Sequence, residues 1–213
     1  MTNIKTQNAP APRVRGEPLR QRVIDAAERL LREGKAEFSM RDLASEAEVS
    51  FATPFNQFGS KAAIMHAVAS RRVDAMEVHF AEIATSGDAV ERVLLATDIA
   101  ARVMLEQPAI NRSVMGWLGT AGPVAGQAWA RSRVLWSLAL ADGDGLVTDR
   151  RDHALQSLPG QLAFGFRGVL SFWTAGEVSD GDLAVHAREV AAALMLGFVD
   201  QDRWTRLSML APS

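Results

Sequence analysis

Two adjacent amides, Asn56 and Gln57, sit in a short run that also holds Phe51, Ala52, Thr53 and Phe55. An amide side chain can make a paired hydrogen bond to an adenine edge, and an aromatic ring or a methyl group can meet a thymine methyl. Ser39, Arg41, Thr53 and Lys61 flank these residues with hydroxyls and cations, the groups that hold phosphates. No catalytic constellation competes with this reading. The four histidines, His66, His79, His153 and His186, fall in separate segments, and none makes an H-E-x-x-H or comparable ligand spacing. There is no G-x-S-x-G elbow, no phosphate-cradling G-x-x-x-x-G-K-S/T and no dinucleotide G-x-G-x-x-G. Asp142 and Asp144 lie in A-D-G-D-G-L, but the rest of a calcium-loop spacing and its terminal glutamate are missing. With no cysteine, disulfides, thiolate chemistry and cysteine-bound metal clusters are excluded. The expectation is a binding protein without catalytic residues, metal or cofactor.

The candidate residues must be positioned by two short helices. Ser39 is a natural N-cap with Asp42 as its capping-box partner, and Leu43, Ala44 and Ala47 then give one apolar side. Glu48 and Val49 break this helix, Ser50 can cap the next, and Gly59 with Ser60 ends it. Pro54 stands early enough in the second helix to be tolerated. Pro54, Phe58 and Val49 can face inward, which turns Phe51, Thr53, Phe55, Asn56 and Gln57 largely outward. This is the anatomy of a helix-turn-helix, whose second helix enters the major groove. Upstream, Leu19, Val23, Ala26, Ala27, Leu30 and Leu31 repeat at helical spacing until Gly34, giving a helix that packs under the other two.

The stretch from Leu19 to Ala63 resembles the N-terminal domain of TetR-type bacterial transcription regulators. The shared pattern is a Thr or Ser cap, a hydrophobic helix, A-G-V-S, a short recognition helix ending aromatic-x-x-Phe, and x-S-K. This sequence departs from it at Glu48, where the family has glycine, and at Phe55, where it has tyrosine. A positive φ at Glu48 would carry a strain of roughly 1 kcal/mol.

The net charge is −2, yet Lys5, Arg13, Arg15, Arg20 and Arg22 face only Glu17 at the start of the chain. Residues 1–17 read as a disordered basic arm, 18–62 as the helix-turn-helix domain, 63–200 as a helical effector-binding and dimerisation domain, and 201–213 as an irregular or frayed tail. A long helix runs from Lys61 to Ser86-Gly87, and Asp88 caps another ending at Gln107-Pro108. Pro108 to Leu118 is a shorter helix, Gly119 to Pro123 a turn, and Val124 to Ala141 a further helix. A helix from about Asp149 to Thr174, kinked or started by Pro159, precedes a last one from Asp180 to Val199 capped by Ser179. No strand pattern appears. The fold expected is all-α, about nine helices in two domains.

The last two helices hold more apolar surface than one small bundle buries, which points to a homodimer interface of Gly165, Phe166, Gly168, Val169, Trp173, Val190, Leu194 and Phe198. Gly165 and Gly168, three apart, would admit a second helix closely. The resemblance implies a four-helix bundle across a two-fold axis. It also implies a small-molecule pocket on whose helices Met104, Met115, Trp117, Trp129, Trp136, Phe164 and Phe172 lie, suiting an apolar or aromatic effector. The function expected is a ligand-responsive repressor that binds a pseudo-palindromic duplex operator as a homodimer. The alternative is an all-α ligand-binding dimer with weakened or lost operator specificity. The start has no apolar core of signal-peptide length, and the longest later apolar run, Ala191 to Val199, is too short to span a bilayer. A cytoplasmic protein is expected.

Overall fold

In the computed structural model, residues 17–83, 86–118 and 128–209 are described. The basic arm through residue 16, the turn expected at Gly119 to Pro123 and the start expected for the following helix lie outside them. Among the described residues the chain is all-α. Its helices are α1 (Glu17–Arg32), α2 (Met40–Glu46), α3 (Ala52–Phe58), α4 (Lys61–Ile83), α5 (Ala89–Glu106), α6 (Pro108–Leu118), α7 (Ala128–Leu140), α8 (Arg151–Ala175), α9 (Leu183–Met195) and α10 (Gln201–Ser208). No described helix is long and apolar enough to cross a membrane.

The capping chemistry sets several boundaries. The Ser39 hydroxyl accepts from the Asp42 amide while the Asp42 carboxylate accepts from the Ser39 amide, so both ends of the capping box before α2 are closed. Asp88 and Glu91 do the same for α5. Ser50 does not cap α3 through its side chain. The capping position belongs to Phe51, and the Ser50 hydroxyl pairs instead with the Thr53 hydroxyl at 2.8 Å. Likewise Asp182, not Ser179, stands at the N-cap of α9. Pro159 is buried inside α8, eight residues past its first residue, Arg151. The region from Asp200 is ordered where an irregular tail was expected. Asp200 caps α10 by accepting from the Arg203 amide, and Arg203 reaches back to Asp88 at 2.8 Å, fastening α10 to the head of α5.

Two apolar clusters form. The larger packs α5, α7, α8 and α9 around Trp136, Leu158, Leu162, Trp173 and Met195. The smaller gathers Val23, Ala26, Leu30 and Leu43 from the first two helices with Ile64, Met65 and Val68 of α4 and Ile110 and Val114 of α6. The core beneath the helix-turn-helix is thus closed from below by α6, a helix more than forty residues downstream of α4's first residue. Polar side chains lace the same junction. Arg71 pairs with Asp25 at 2.6 Å, and Arg72 pairs with Glu28 at 3.1 Å while donating to the side-chain Oδ1 of Asn111 at 2.8 Å. Buried Asn111 spends its amide protons on the Val103 and Met104 carbonyls at the end of α5. One residue therefore joins α4, α5 and α6.

Candidate functional site

The outer face of α3 is unusually aromatic for a solvated helix. Phe51 and Phe55 are 54% and 42% exposed and meet edge to face, with ring centroids 5.5 Å apart. Ala52 and Asn56 are exposed beside them, and Gln57 and Thr53 are half-buried. Pro54 is buried and Phe58 half-buried on the opposite side, so the helix stands on an apolar base and offers its aromatic and amide groups outward. Arg41 is exposed at the end of this face, its guanidinium 5.7 Å from the Phe51 ring centroid. Helix α1 holds the pair from behind. Arg22 donates to the Ala47 and Glu48 carbonyls, and Arg20 donates to the Gln57 carbonyl at 2.6 Å and lies over the Phe58 ring. These two arginines, counted from sequence with the basic arm, are used inside the fold. Glu48 occupies the turn at φ 52°, in the left-handed region, so the condition under which this departure from glycine would carry strain is met.

Two residues expected on phosphate are engaged elsewhere. Lys61 donates to the Ala36 carbonyl at 2.8 Å, and its ammonium rests 4.4 Å from the Phe38 ring and 5.0 Å from the Trp117 ring. Burial pulls its pKa below the ordinary lysine value. Lys61 is the inward pin of the helix-turn-helix domain, because its flexible stem finds a carbonyl and two ring faces before it reaches solvent. The Ser39 hydroxyl is taken up in its cap and donates to Asp42 at 2.8 Å.

The second feature is a cavity of about 470 Å³ between α4, α5, α6, α7 and α8. Met104, Met115, Trp129, Trp136 and Phe164 line it. Trp136 is buried at the deep end, whereas Trp129 and Phe164 stack at 5.8 Å and are 48% and 63% exposed, marking the rim. Trp117 and Phe172 do not line it. Trp117 packs on the smaller core over Lys61, and Phe172 is 56% exposed on the outer face of α8. Sequence reasoning missed the polar part of the wall: Arg20 of α1, His66, Ser70 and Arg72 of α4, Asn111 of α6, Arg131 and Ser132 of α7, and Arg167 of α8. Arg167 was visible as a lone charge in L-A-F-G-F-R-G-V-L-S-F-W, a run otherwise free of them.

The residues expected at a dimer interface divide. Trp173 is fully buried within its own chain, its indole N–H donating to Asp180 at 2.8 Å, and Val169 is buried beside it in the larger core. Phe166 packs edge to face on Trp136. Gly165 is small because a Cβ there would come 2.6 Å from Val190 and 3.1 Å from Leu194 of the same chain's α9. Phe198 lies 5.9 Å from His153, ring to ring. These residues are engaged within the one chain, Gly165 with Val190 and Leu194 closing α8 on α9 and Phe166 packing α8 on α7. Gly168 alone of the set is exposed, with nothing within 4 Å of an added Cβ; Phe164 and Phe172 on the same helix are exposed, as is Val185 of α9.

Among the described residues no group of three or more His, Asp or Glu could hold a metal ion. Residues 23–68 match the family model described as "Bacterial regulatory proteins, tetR family". No curated protein matches the sequence. The chain is similar in structure to a TetR transcriptional regulator from Rhodococcus sp. RHA1, with TM-score 0.66 and 23% identity over 84% of this chain and 97% of that one. It is also similar to TylP, a TetR regulator from Streptomyces fradiae, with TM-score 0.57 and 18% identity over 90% of this chain and 92% of that one. At such identities the likeness is one of fold.

Proposed function

We infer, from the match of residues 23–68 to the tetR family model and from the likeness of the fold to TetR regulators, that this chain is a TetR-type cytoplasmic repressor controlled by a small molecule. It binds a pseudo-palindromic operator as a homodimer, with α3 of each protomer in the major groove and half-sites roughly 34 to 36 Å apart. The observation that carries this reading is the exposed face of α3, on which Phe51, Phe55 and Asn56 project, with Arg20 holding the helix and Arg22 the turn before it. Asn56 and Gln57 read adenine edges, Phe51, Ala52 and Phe55 meet thymine methyls, and Arg41 and Thr53 steady the phosphates.

The cavity supplies the control. Its wall is shared by α4 and α6, the two helices that also close the core under α2 and α3. An effector with an apolar body that fits one setting of this wall better than another shifts the spacing of the two recognition helices, and it acts only through that difference in affinity. Selection of duplexes from a random pool by the full chain tests the reading. The expected result is a two-fold symmetric site bound with strong salt dependence. Recovery of no common sequence, with weak binding to all duplexes, would leave a ligand-binding dimer without an operator.

A further inference from the structure

The cavity is apolar over most of its wall, but among the described residues its charge is one-sided: four arginines and His66 line it, and no Asp or Glu does. Three of the arginines are already committed. Arg20 donates to Gln57 and covers Phe58, Arg72 pairs with Glu28, and Arg131 pairs with Asp74 and Glu77. Arg167 is different. Its guanidinium reaches from the middle of α8 to the Met115 thioether sulfur and the Met115 carbonyl, each at 3.2 Å, and among the described residues no carboxylate pairs with it. Residues 119–127, the undescribed stretch between α6 and α7, contain no Asp or Glu.

A guanidinium presents five donors, and a thioether is a weak acceptor. Holding such a cation half-buried is unfavourable unless an anion completes it, and burial depresses the Arg167 pKa. Arg167, whose acceptors among the described residues are a thioether and one carbonyl, calls for one negative charge. The planar fork suits a carboxylate, which it can bind through two parallel hydrogen bonds. A dianionic phosphate would bring a second charge, whereas Arg72 and Arg131 are already paired with carboxylates and Arg20 is turned to the Gln57 carbonyl and the Phe58 ring.

We propose that the effector is an amphipathic monocarboxylic acid whose carboxylate pairs with Arg167 while its apolar body lies against Met104, Leu135, Trp136 and Phe166. This rests on the reading of the cavity as the effector site, and it departs from a purely apolar or aromatic ligand. The chain's intrinsic fluorescence, in which Trp129 and Trp136 of the five tryptophans line the cavity, reports occupancy. The full-length protein is titrated with decanoate, phenylbutyrate and naphthylacetate, each beside the alcohol of the same skeleton, and the series is repeated with Arg167→Gln and Arg167→Lys. At least one acid should bind about ten- to a hundredfold more tightly than its alcohol, the worth of a charged hydrogen-bonded pair. Arg167→Gln should abolish that preference with alcohol binding unchanged, and Arg167→Lys should keep part of it. The wild-type comparison stands even if a variant folds poorly. Equal binding of acids and alcohols overturns the carboxylate but leaves the cavity as an effector site, whereas binding of neither class overturns both.

Discussion

At the scale of single residues, what a side chain touches decides between reading, holding and folding. Asn56 is exposed and contributes nothing evident to packing, so Asn56→Ala should leave the melting temperature nearly unchanged while costing about 1 to 3 kcal/mol of discrimination at one symmetric pair of operator positions. Site selection on wild type and variant checks this, and identical base preferences would remove Asn56 from the reading face. Arg41→Ala should lower the slope of log affinity against log salt by about one unit for every sequence alike. Lys61→Ala should leave that slope unchanged and instead lower stability by about 1 to 2 kcal/mol, because it removes a carbonyl bond and contacts with two rings. Glu48→Gly should raise stability by roughly 1 kcal/mol, or about 2 to 4 °C in melting temperature, since the exposed side chain carries the cost of a left-handed backbone. The cap at Ser39 and the strained turn were legible because both are local, set by residues within a few positions. The inward course of Lys61 was not, since its partners Ala36, Phe38 and Trp117 arrive from other segments.

At the scale of helices, periodicity and caps located α1, α5 and α6 closely, and the missed element was α10. Its signal is the string D-Q-D-R-W-T-R-L, in which Asp200 caps and Leu207 is the one buried apolar residue. A helix with so little apolar face gains its order from what it docks against, here the Arg203 to Asp88 pair. That pair makes a testable element. Burial would raise the Asp88 pKa, but the amide of Glu91, the guanidinium of Arg203 and the amide of Val90 more than offset it, leaving the value below normal. A depressed carboxylate contributes stability in full above its unfolded value of about 3.9 and loses it as pH falls through the lower folded value. Asp88→Ala should therefore cost about 1 to 2 kcal/mol at neutral pH, with the deficit shrinking below about pH 4. Parallel thermal melts of both proteins across that range measure it, and a deficit independent of pH would show that the charge is not what matters.

At the scale of the whole molecule, the sequence conveyed the class of fold and the presence of a helix hairpin with surplus apolar surface. It could not say which apolar residues of α8 and α9 face each other and which face out, because a helix rich in apolar residues on several sides has no single preferred face. Gly165 and Gly168 show the difference. Gly165→Ala must push against Val190 and Leu194 and should destabilise the isolated protomer, whereas Gly168→Arg has open space and should leave it folded. If the outer face of α8 seats a second protomer, Gly168→Arg should convert dimer to monomer by sedimentation with little loss of helicity, and operator binding should fall with it. A persisting dimer would place the contact elsewhere. The shared core beneath the helix-turn-helix also bears on how such regulators can be recombined. Ile110 and Val114 belong to α6 yet fill the same cluster as Val23, Leu43 and Ile64, and Trp117 seats Lys61. A chimera that exchanges only the first sixty or so residues with a relative would pair a foreign upper core with a native floor. The graft that preserves packing cuts the chain twice, carrying the early helices and the facing side of α6 together.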